Sequence, residues 1–513
     1  MLVGQPPARS VPRRIWASNY RPSIPRVQNV RRQQPPPHNA GGHPPASLVI
    51  VDLDETLLRT DLLWEQLLWM ARFRPLHAVW LFLRMLAPGN RAEVKRVLAE
   101  QSPEMPVDAL PVREELVRVL RGWRSAGATV VLATATDQAI AERVAAHAGG
   151  FDLVLGSDGR TNLKGARKLR AIQERFPATP FVYAGDSSAD RPLFDAAEAS
   201  ILVNVAHGVR STLQRPPVLE LRDREAPWRL MLRLMRPHHW VKNALVFLPL
   251  LAGHRITDVA ALLASLGAAL SFSLMASAIY GLNDLLDLDA DRRHHRKRHR
   301  PLASGALSAP NALFLSVVLA AVSVGVAFAV SATWVLVAYA ATNVAYSLHL
   351  KRKPVLDVML LAGMYAMRVV AGGVATGIVL SSWLIAFSLF FFLALALAKR
   401  YTELQSVPDA GWASGRGYAA TDRIVILAGG LSVSVAACLV LSLYISSPQV
   451  LALYDRPAWL WVSVPVALYW LLRLWLIAGR GALHDDPIVF ALRDRVTYAA
   501  GIVALGAVLA SAR

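Results

Sequence analysis

Leu48-Val49-Ile50-Val51-Asp52-Leu53-Asp54-Glu55-Thr56 is the stretch on which the fold turns. Four aliphatic residues in a row read as a short buried strand. The strand runs directly into two carboxylates spaced two residues apart. Further along, Thr129-Val130-Val131-Leu132 and Phe181-Val182-Tyr183 are similar runs, each ending in polar residues. Amphipathic helical stretches separate them, which is the strand–helix alternation of a parallel α/β sheet. Open sheets of this kind bind ligands at the carboxyl ends of their strands. Asp52 and Asp54 belong to that edge, together with Thr134, with Lys164 in Leu163-Lys164-Gly165, and with Gly185-Asp186-Ser187-Ser188-Ala189-Asp190. These groups supply what phosphoryl transfer needs. A carboxylate can act as nucleophile, magnesium held by a few carboxylates neutralises phosphate oxygens, and hydroxyl and ammonium donors grip the transferring group.

Composition shows that this sheet is only part of the chain. Of 513 residues, 54% are hydrophobic and 18% charged, whereas a soluble domain is about a quarter charged. A fully soluble or mainly disordered chain is excluded. The net charge of +19 points to an anionic membrane surface or phosphate-rich substrates, and the apolar content speaks against a nucleic-acid partner. The single cysteine, Cys438, excludes a disulfide framework and a cysteine zinc site. Residues 1–46 hold ten of the 31 prolines, seven arginines and no acidic residue, so they read as a disordered basic tail. No secretory signal opens the chain, and the first long segment is expected to stay in the cytoplasm.

From residue 240 onward, apolar stretches recur near 241–253, 258–280, 310–329, 331–349, 355–377, 381–398, 424–446, 457–478 and 496–511. Crossing the hydrocarbon core takes about 20 apolar residues, so about nine spans are expected, the first and last of them short. Arg292, Arg293, Arg296, Lys297, Arg298 and Arg300 follow the second span, Lys351, Arg352 and Lys353 the fourth, and Lys399 and Arg400 the sixth. The alternate connections carry little more than Arg255 and Arg456. The positive-inside rule therefore assigns the basic loops and the α/β domain to the cytoplasm and the C-terminus to the outside. The expected fold is multidomain. It comprises a cytoplasmic α/β domain (47–215), Rossmann-type, with a helical cap near 57–128; a linker and interfacial segment (216–239); and an all-α polytopic membrane domain (240–513).

The second span ends in Asn283-Asp284-Leu285-Leu286-Asp287-Leu288-Asp289-Ala290-Asp291. Asn283, Asp287 and Asp291 are four apart and stack on one helix face, with Asp284 beside it. This ladder suits magnesium bridging two phosphates. Intense positive charge follows at once, and an anionic substrate held between metal and Arg or Lys explains both signs. Lys297 and Arg300 are preferred to the neighbouring histidines as ligands. Arg368 lies inside the fifth span, where a charge costs about 2.5–3.5 kcal/mol and needs a partner; it faces either the cavity or an ion pair. Gly372-Gly373 marks a close helix contact. Lys399, Arg400 and Glu403 are placed to close over the site. His484-Asp485-Asp486-Pro487 reads as a helix cap in preference to a metal site.

The four ordered motifs of the first domain resemble the haloacid dehalogenase superfamily: DxDxT, a strand-ending Thr or Ser, a Lys, and GDxxxD. That resemblance implies Asp52 as nucleophile and Asp54 as general acid/base. Thr134 and Lys164 would hold the phosphoryl group, and magnesium would sit among Asp52, Asp54, Asp186 and Asp190. Thr136 is an alternative to Thr134. The insert carries Leu62-Leu63-Trp64, Leu67-Leu68-Trp69-Met70 and Val79-Trp80-Leu81-Phe82-Leu83 amid Arg72, Arg74 and Arg84. It reads either as ordinary cap packing or as an interfacial helix pair.

The acidic segment continues into Pro301-Leu302-Ala303-Ser304-Gly305 and resembles the first signature of the UbiA-type intramembrane prenyltransferases. Arg236-Pro237-His238-His239-Trp240-Val241-Lys242-Asn243 matches their opening segment. The second signature departs from the usual acidic pattern. Tyr346-Ser347-Leu348-His349-Leu350-Lys351-Arg352-Lys353-Pro354-Val355-Leu356-Asp357 keeps one Asp and gains three cations. It is similar to the decaprenyl-phosphate phosphoribosyltransferase branch. The resemblance implies magnesium on Asn283, Asp284, Asp287 and Asp291, with Asp287 and Asp291 catalytic. Lys242, Asn243, Lys297, Arg300, Tyr346, Lys351, Arg352, Asp357 and Arg368 would contact substrate. The implied partners are the membrane, a polyprenyl phosphate and phosphoribosyl pyrophosphate, or instead a polyprenyl diphosphate with a small aromatic acceptor. A homo-oligomer is compatible with all of this.

Overall fold

The computed structural model describes residues 44–87, 90–205, 207–211, 213, 215–408, 411–413, 416–483 and 486–511. Residues 1–43 of the basic tail, and His484 and Asp485 of the expected helix cap, lie outside the described residues.

Six parallel strands form one sheet in the order β3-β2-β1-β4-β5-β6. They are β1 (Leu48–Val51), β2 (Thr129–Asp137), β3 (Leu153–Ser157), β4 (Phe181–Gly185), β5 (Ala199–Val203) and β6 (Leu219–Leu221). The apolar runs are buried because helices cover both faces. Between β1 and β2 come α1 (Leu62–Phe73), α2 (Pro75–Leu86), α3 (Arg91–Gln101) and α4 (Glu114–Ser125). The cap is narrower than its expected bounds. Leu116, Val117, Leu120 and Trp123 of α4 are packed into the sheet's own core, leaving α1–α3 as the insert. α5 (Gln138–Ala148), α6 (Ala166–Arg175) and α7 (Arg191–Ala196) complete the layers, and α8 (His207–Arg210) precedes β6. The sheet therefore runs past residue 215 into the expected linker, because Leu219–Leu221 pairs in parallel with β5.

The rest is helical: α9 (Pro227–Met235), α10 (Leu248–Ala252), α11 (Val259–Leu286), α12 (Leu288–Arg293), α13 (Ala309–Ala329), α14 (Thr333–Leu348), α15 (Leu356–Thr376), α16 (Ser382–Gln405), α17 (Arg423–Ile445), α18 (Pro448–Leu451), α19 (Ser463–Gly479), α20 (Pro487–Ala491) and α21 (Arg495–Ser511). Among the described residues, six helices or helical runs are long and apolar enough to cross a membrane: α11, α13, α15, α16, the run Ala420–Ile445 made of a 3₁₀ turn and α17, and the run Pro457–Gly479 made of a 3₁₀ turn and α19. This is a membrane protein. Of the other three expected spans, α14 and α21 are apolar but have 16 and 17 residues, or about 24–26 Å at 1.5 Å per residue. The first, 241–253, is not a spanning helix. Pro237 opens a tight 3₁₀ run to Phe247, and Pro249 stands at the start of the five-residue α10. This segment instead packs against α15. A Cβ on Gly372 would lie 1.9 Å from the Val246 carbonyl oxygen, so that glycine serves this contact.

The α/β domain docks on the end of the bundle from which α12 emerges. Arg292 of α12 donates two hydrogen bonds, 2.6 and 2.9 Å, to the Glu65 carboxylate of α1. Both side chains are buried, at 5% and 7% exposure. Leu68 of α1 packs among Leu285, Leu288 and Leu302. Arg72 and Asp289 lie 3.9 Å apart, and Arg293 and Asp108 3.5 Å. Among the lining residues of a cavity of about 200 Å³ at this junction are Glu55, Arg59, Arg113 and Arg224 from one side and Gly305 and Ser308 from the other.

Candidate active sites

Register decides what meets at the sheet edge. Val51 stands opposite Leu132 on one side and Ala184 on the other. The residues just past these, Asp52, Thr134 and Asp186, therefore come together at the switch in strand order between β1 and β4. Asp52, Asp186 and Asp190 each bring an oxygen within 4.8 Å of one another. Asp190 is buried, and its Oδ2 has no hydrogen-bond donor. Three converging carboxylates with an unsatisfied oxygen fit a hard divalent cation such as magnesium.

The lysine at this site is Lys168, not Lys164. Gly165, at φ +56°, starts α6, and Lys164 lies before the helix, exposed. Lys168, 2% exposed, extends from the first turn of α6. Its Nζ lies 2.9 Å from Asp52 and 3.6 Å from Asp190, and donates to the Tyr183 hydroxyl at 3.2 Å. Burial alone would depress this ammonium, but Asp52 and Asp190 outweigh it and hold its pKa above the ordinary lysine value. Both strand-end threonines are used. Thr136 donates through Oγ1 to Asp54 at 2.9 Å, and the Thr136 amide donates to the Thr134 hydroxyl at 3.0 Å.

Asp54 is not one of the converging trio; it accepts from the Leu62 amide at 2.8 Å. Burial, with Asp61 close by, pushes its pKa up to about 7. Asp186 is pushed up to about 8 by burial and by the charges of Asp52, Glu55 and Asp190. A neutral Asp54 beside an ionisable trio can donate a proton near neutral pH. Lys95 of the cap helix α3 reaches in to the Ala135 carbonyl at 2.7 Å. Burial lowers its pKa despite Asp54 and Asp61. The linear motif contains nothing that marks Lys95 or Asp61.

At the docking end of the membrane bundle, α11 passes into α12 through a kink at Asp287, where the Asp287 amide still donates to the Asn283 carbonyl and the Asp291 amide to the Asp287 carbonyl. The expected rungs divide into two sets: Asp284 and Asp291 share Arg300, while Asn283 and Asp287 face Ser347 and Lys351. Asp284, buried, accepts both Oδ bonds from Arg236 at 2.6 and 2.7 Å and a third from Arg300 at 3.0 Å. Arg300 also bonds Asp291, which sits 3.4 Å from Lys297. Asp287 is half exposed, 4.0 Å from Lys351, and Asn283 donates to Ser347 at 3.1 Å. Asp284 and Asp291 are thus already paired with arginine, while Asp287 and the amide oxygen of Asn283 are the more open groups. Magnesium bound by one or two carboxylates plus substrate phosphates fits that pair better than a four-ligand cage.

Five expected ligands, Asp357, Arg368, Asn243, Lys242 and Tyr346, have other partners. Asp357 is fully buried, held by Arg400 at 2.5 Å and by the Tyr418 hydroxyl at 2.6 Å. It fastens the loop after α16 and is closed to a ligand. Arg400 is equally buried and also pairs with the partly exposed Glu403. Arg368 is neither free nor ion-paired in the described structure. It donates to Asn243 at 2.8 Å, to Tyr339 at 3.1 Å and to the Met364 carbonyl, and lies 4.9 and 5.3 Å from the ring centroids of Tyr339 and Tyr365. Lys242 reaches Asp486 at 3.0 Å and Lys399 reaches the same oxygen at 3.1 Å. Asp486 also caps α20 through the Ile488 amide at 3.1 Å. Tyr346 accepts from Arg416 at 2.6 Å, a residue missed in the sequence because it comes from a loop 70 positions away. Arg352 is exposed.

A phosphatase-type carboxylate cluster on a parallel sheet, joined to a bundle with acidic and basic groups gathered at one mouth, defines a two-site membrane enzyme. Residues 244–493 match the UbiA prenyltransferase family and residues 49–195 match haloacid dehalogenase-like hydrolases, so the chain carries a UbiA-family domain in its C-terminal part and a haloacid dehalogenase-like domain before it. It is 38% identical over 526 residues to the uncharacterized protein y4nM of Sinorhizobium fredii, covering 100% of this chain and 99% of that one. Nodulation protein NoeC of Azorhizobium caulinodans is 36% identical over 273 residues, 50% of this chain and 85% of its own. The decaprenyl-phosphate phosphoribosyltransferase of Corynebacterium glutamicum is 39% identical over 186 residues, covering 34% of this chain and 54% of its own.

Proposed function

We propose that the membrane domain transfers 5-phosphoribose from phosphoribosyl pyrophosphate to a polyprenyl phosphate, and that the N-terminal domain then removes the 5-phosphate. The observation that carries the first half is the cation-rich mouth. Arg236, Lys297, Arg300 and Lys351 surround Asp284, Asp287 and Asp291. A donor with a pyrophosphate and a remote phosphate, meeting a phosphate acceptor, calls for such an excess. In this reading the donor's C1–oxygen bond to pyrophosphate breaks first, leaving an oxocarbenium-like carbon. An acceptor phosphate oxygen closes on C1, and pyrophosphate leaves. Asn283 and Asp287 would hold magnesium, which neutralises the departing charge. Arg300, Lys297 and Lys351 grip phosphate oxygens, and Arg236 fixes Asp284 so that Arg300 keeps its position. Arg368 holds Asn243 and the opening segment in place, a positioning role.

In the second domain, Asp52 attacks phosphorus while Asp54, neutral at its raised pKa, gives its proton to the departing sugar oxygen. Asp54 then takes a proton from the water that hydrolyses the aspartyl-phosphate. Lys168 and Thr134 balance charge on the phosphoryl oxygens. Asp186 and Asp190, with Asp52, would hold magnesium, which supplies further charge neutralisation. We assign both sites to the cytoplasmic side of a bacterial inner membrane, supported by the basic loops at the docking end.

The test uses purified full-length protein with labelled phosphoribosyl pyrophosphate and polyprenyl phosphate. Lipid-linked product should form before free phosphate appears, and Asp52→Asn should make the 5-phosphorylated lipid accumulate. An unchanged product ratio in that variant would end the coupling. Release of pyrophosphate only from a polyprenyl diphosphate would end the donor assignment.

A further inference from the structure

The cap presents an apolar stripe that nothing among the described residues covers. On α2, Leu76 is 86% exposed, with Val79, Trp80 and Leu83 also exposed at helical spacing and Phe73 at the preceding turn. The opposite face, Ala78 and Leu81, is buried against α1 and α3. Consecutive exposed apolar residues at i, i+3, i+4 and i+7 form one face, and a soluble surface avoids such patches. The stripe is edged by arginine. Arg84 lies 5.2 Å from the Trp80 ring and Arg72 5.7 Å from that of Phe73.

The position of the stripe identifies its partner. α1 is fastened to α12 by the Glu65–Arg292 pair. From Glu65 to Phe73 it carries the chain about 12 Å outward. Trp64 and Glu65 also line a small cavity with Ser308, Ala309 and Pro310, where α13 begins. Five residues into α13, Phe314 is 71% exposed on the outer face of the bundle. The cap thus stands at the level where the membrane helices end. A second, separate element there has the same character: α9 packs Leu230 and Leu234 inward and leaves Trp228 and Leu232 exposed, each next to an arginine, Arg229 and Arg233. Two amphipathic helices with tryptophan and arginine at one level match the composition of membrane-surface helices.

From this we infer that α2 of the cap lies in the bilayer interface, its Phe73–Leu83 stripe among the acyl chains and its arginines among anionic headgroups. The phosphatase cleft is then held at two points, by Glu65–Arg292 and by lipid, and opens beside the headgroup layer. The surface contact rests on the membrane-spanning fold and stands whichever substrate the cleft takes.

The test places nitroxide labels singly at Leu76→Cys, Val79→Cys and Leu83→Cys in full-length Cys438→Ala protein. The protein is reconstituted in vesicles of phosphatidylcholine and phosphatidylglycerol. Arg118→Cys on α4, exposed, is the water-facing control. Accessibility to oxygen and to a water-soluble nickel chelate is measured by power saturation. Oxygen should exceed nickel at all three α2 sites and the ratio should reverse at 118. Nickel accessibility equal to that of 118 would overturn the inference, as would shielding from both reagents, the signature of a second protein copy on the stripe. Soluble phosphomonoester hydrolysis by each labelled protein separately reports that the fold is intact, so loss of the proposed reaction and loss of membrane contact are read independently.

Discussion

Replacing Lys168 by methionine tests the assignment of the phosphatase site most directly. The ammonium stands 2.9 Å from Asp52 and 3.6 Å from Asp190, with its side chain 3% exposed. At an effective dielectric of about 20, Coulomb's law gives about 5–6 kcal/mol for the closer pair and about 4–5 for the other. Desolvation of the lysine offsets much of this, and removing one partner of a buried pair costs about 3–5 kcal/mol net. Asp52, Asp186 and Asp190 would be left within 4.8 Å of one another with no internal cation among them. The nucleophile would then be protonated or repelled from a phosphate. We expect hydrolysis of para-nitrophenyl phosphate by the full-length protein to fall by about 10²–10³ in kcat, the loss seen when one donor to developing charge is deleted. Lys164→Met, an exposed change, should remain within about threefold of wild type. Thermal melting with magnesium present distinguishes a folded, inactive Lys168 variant from an unfolded one. If Lys164→Met abolishes turnover while Lys168→Met spares it, the argument from helix phase is wrong.

Magnesium binding to the α/β domain should weaken about tenfold per pH unit below about 8, because the ion competes with the proton that burial and neighbouring carboxylates hold on Asp186; calorimetric titration from pH 6 to 9 reads this. The sign for stability follows from the same shift. A carboxyl with folded pKa above its unfolded value favours the fold when protonated, so metal-free protein should melt lower as pH rises from about 4 towards 8, and magnesium should restore it. Arg300→Ala removes the bonds to Asp284 and Asp291. It should raise the KM for the phosphoribosyl donor about 10–100-fold, the weight of a bond to a charged group, with soluble phosphatase activity unchanged. Gly372→Ala puts a methyl 1.9 Å from the Val246 carbonyl oxygen and should lower the melting temperature, overpacking costing about 1–3 kcal/mol. Gly363→Ala, with open space around it, should not.

Three of the six strands, the carboxylates at their ends and the membrane character of the second half were legible in the chain because each is a local pattern. Four aliphatic residues before Asp52 make a buried strand in almost any context, and a run of about 20 apolar residues has few fates other than a bilayer. Which of two nearby side chains does the work was not legible. Lys164 and Lys168 differ by four positions, and only the start of α6 at Gly165 turns one outward and the other onto Asp52. Thr134 and Thr136 lie two apart on one strand, and both serve, one through its neighbour's amide and one on Asp54. Asp357 looked like a substrate ligand until the fold brought Arg400 and Tyr418 from 43 and 61 positions away to occupy both of its oxygens. Arg236 and Asp284 are 48 positions apart, and Glu65 and Arg292 227. An ionic partner is chosen by which helices share an end, and no spacing along one segment records that choice. Sequence determined the two folds and the chemistry they carry; packing across long separations decided which charges remain open to substrate, and where the phosphatase sits on the membrane domain.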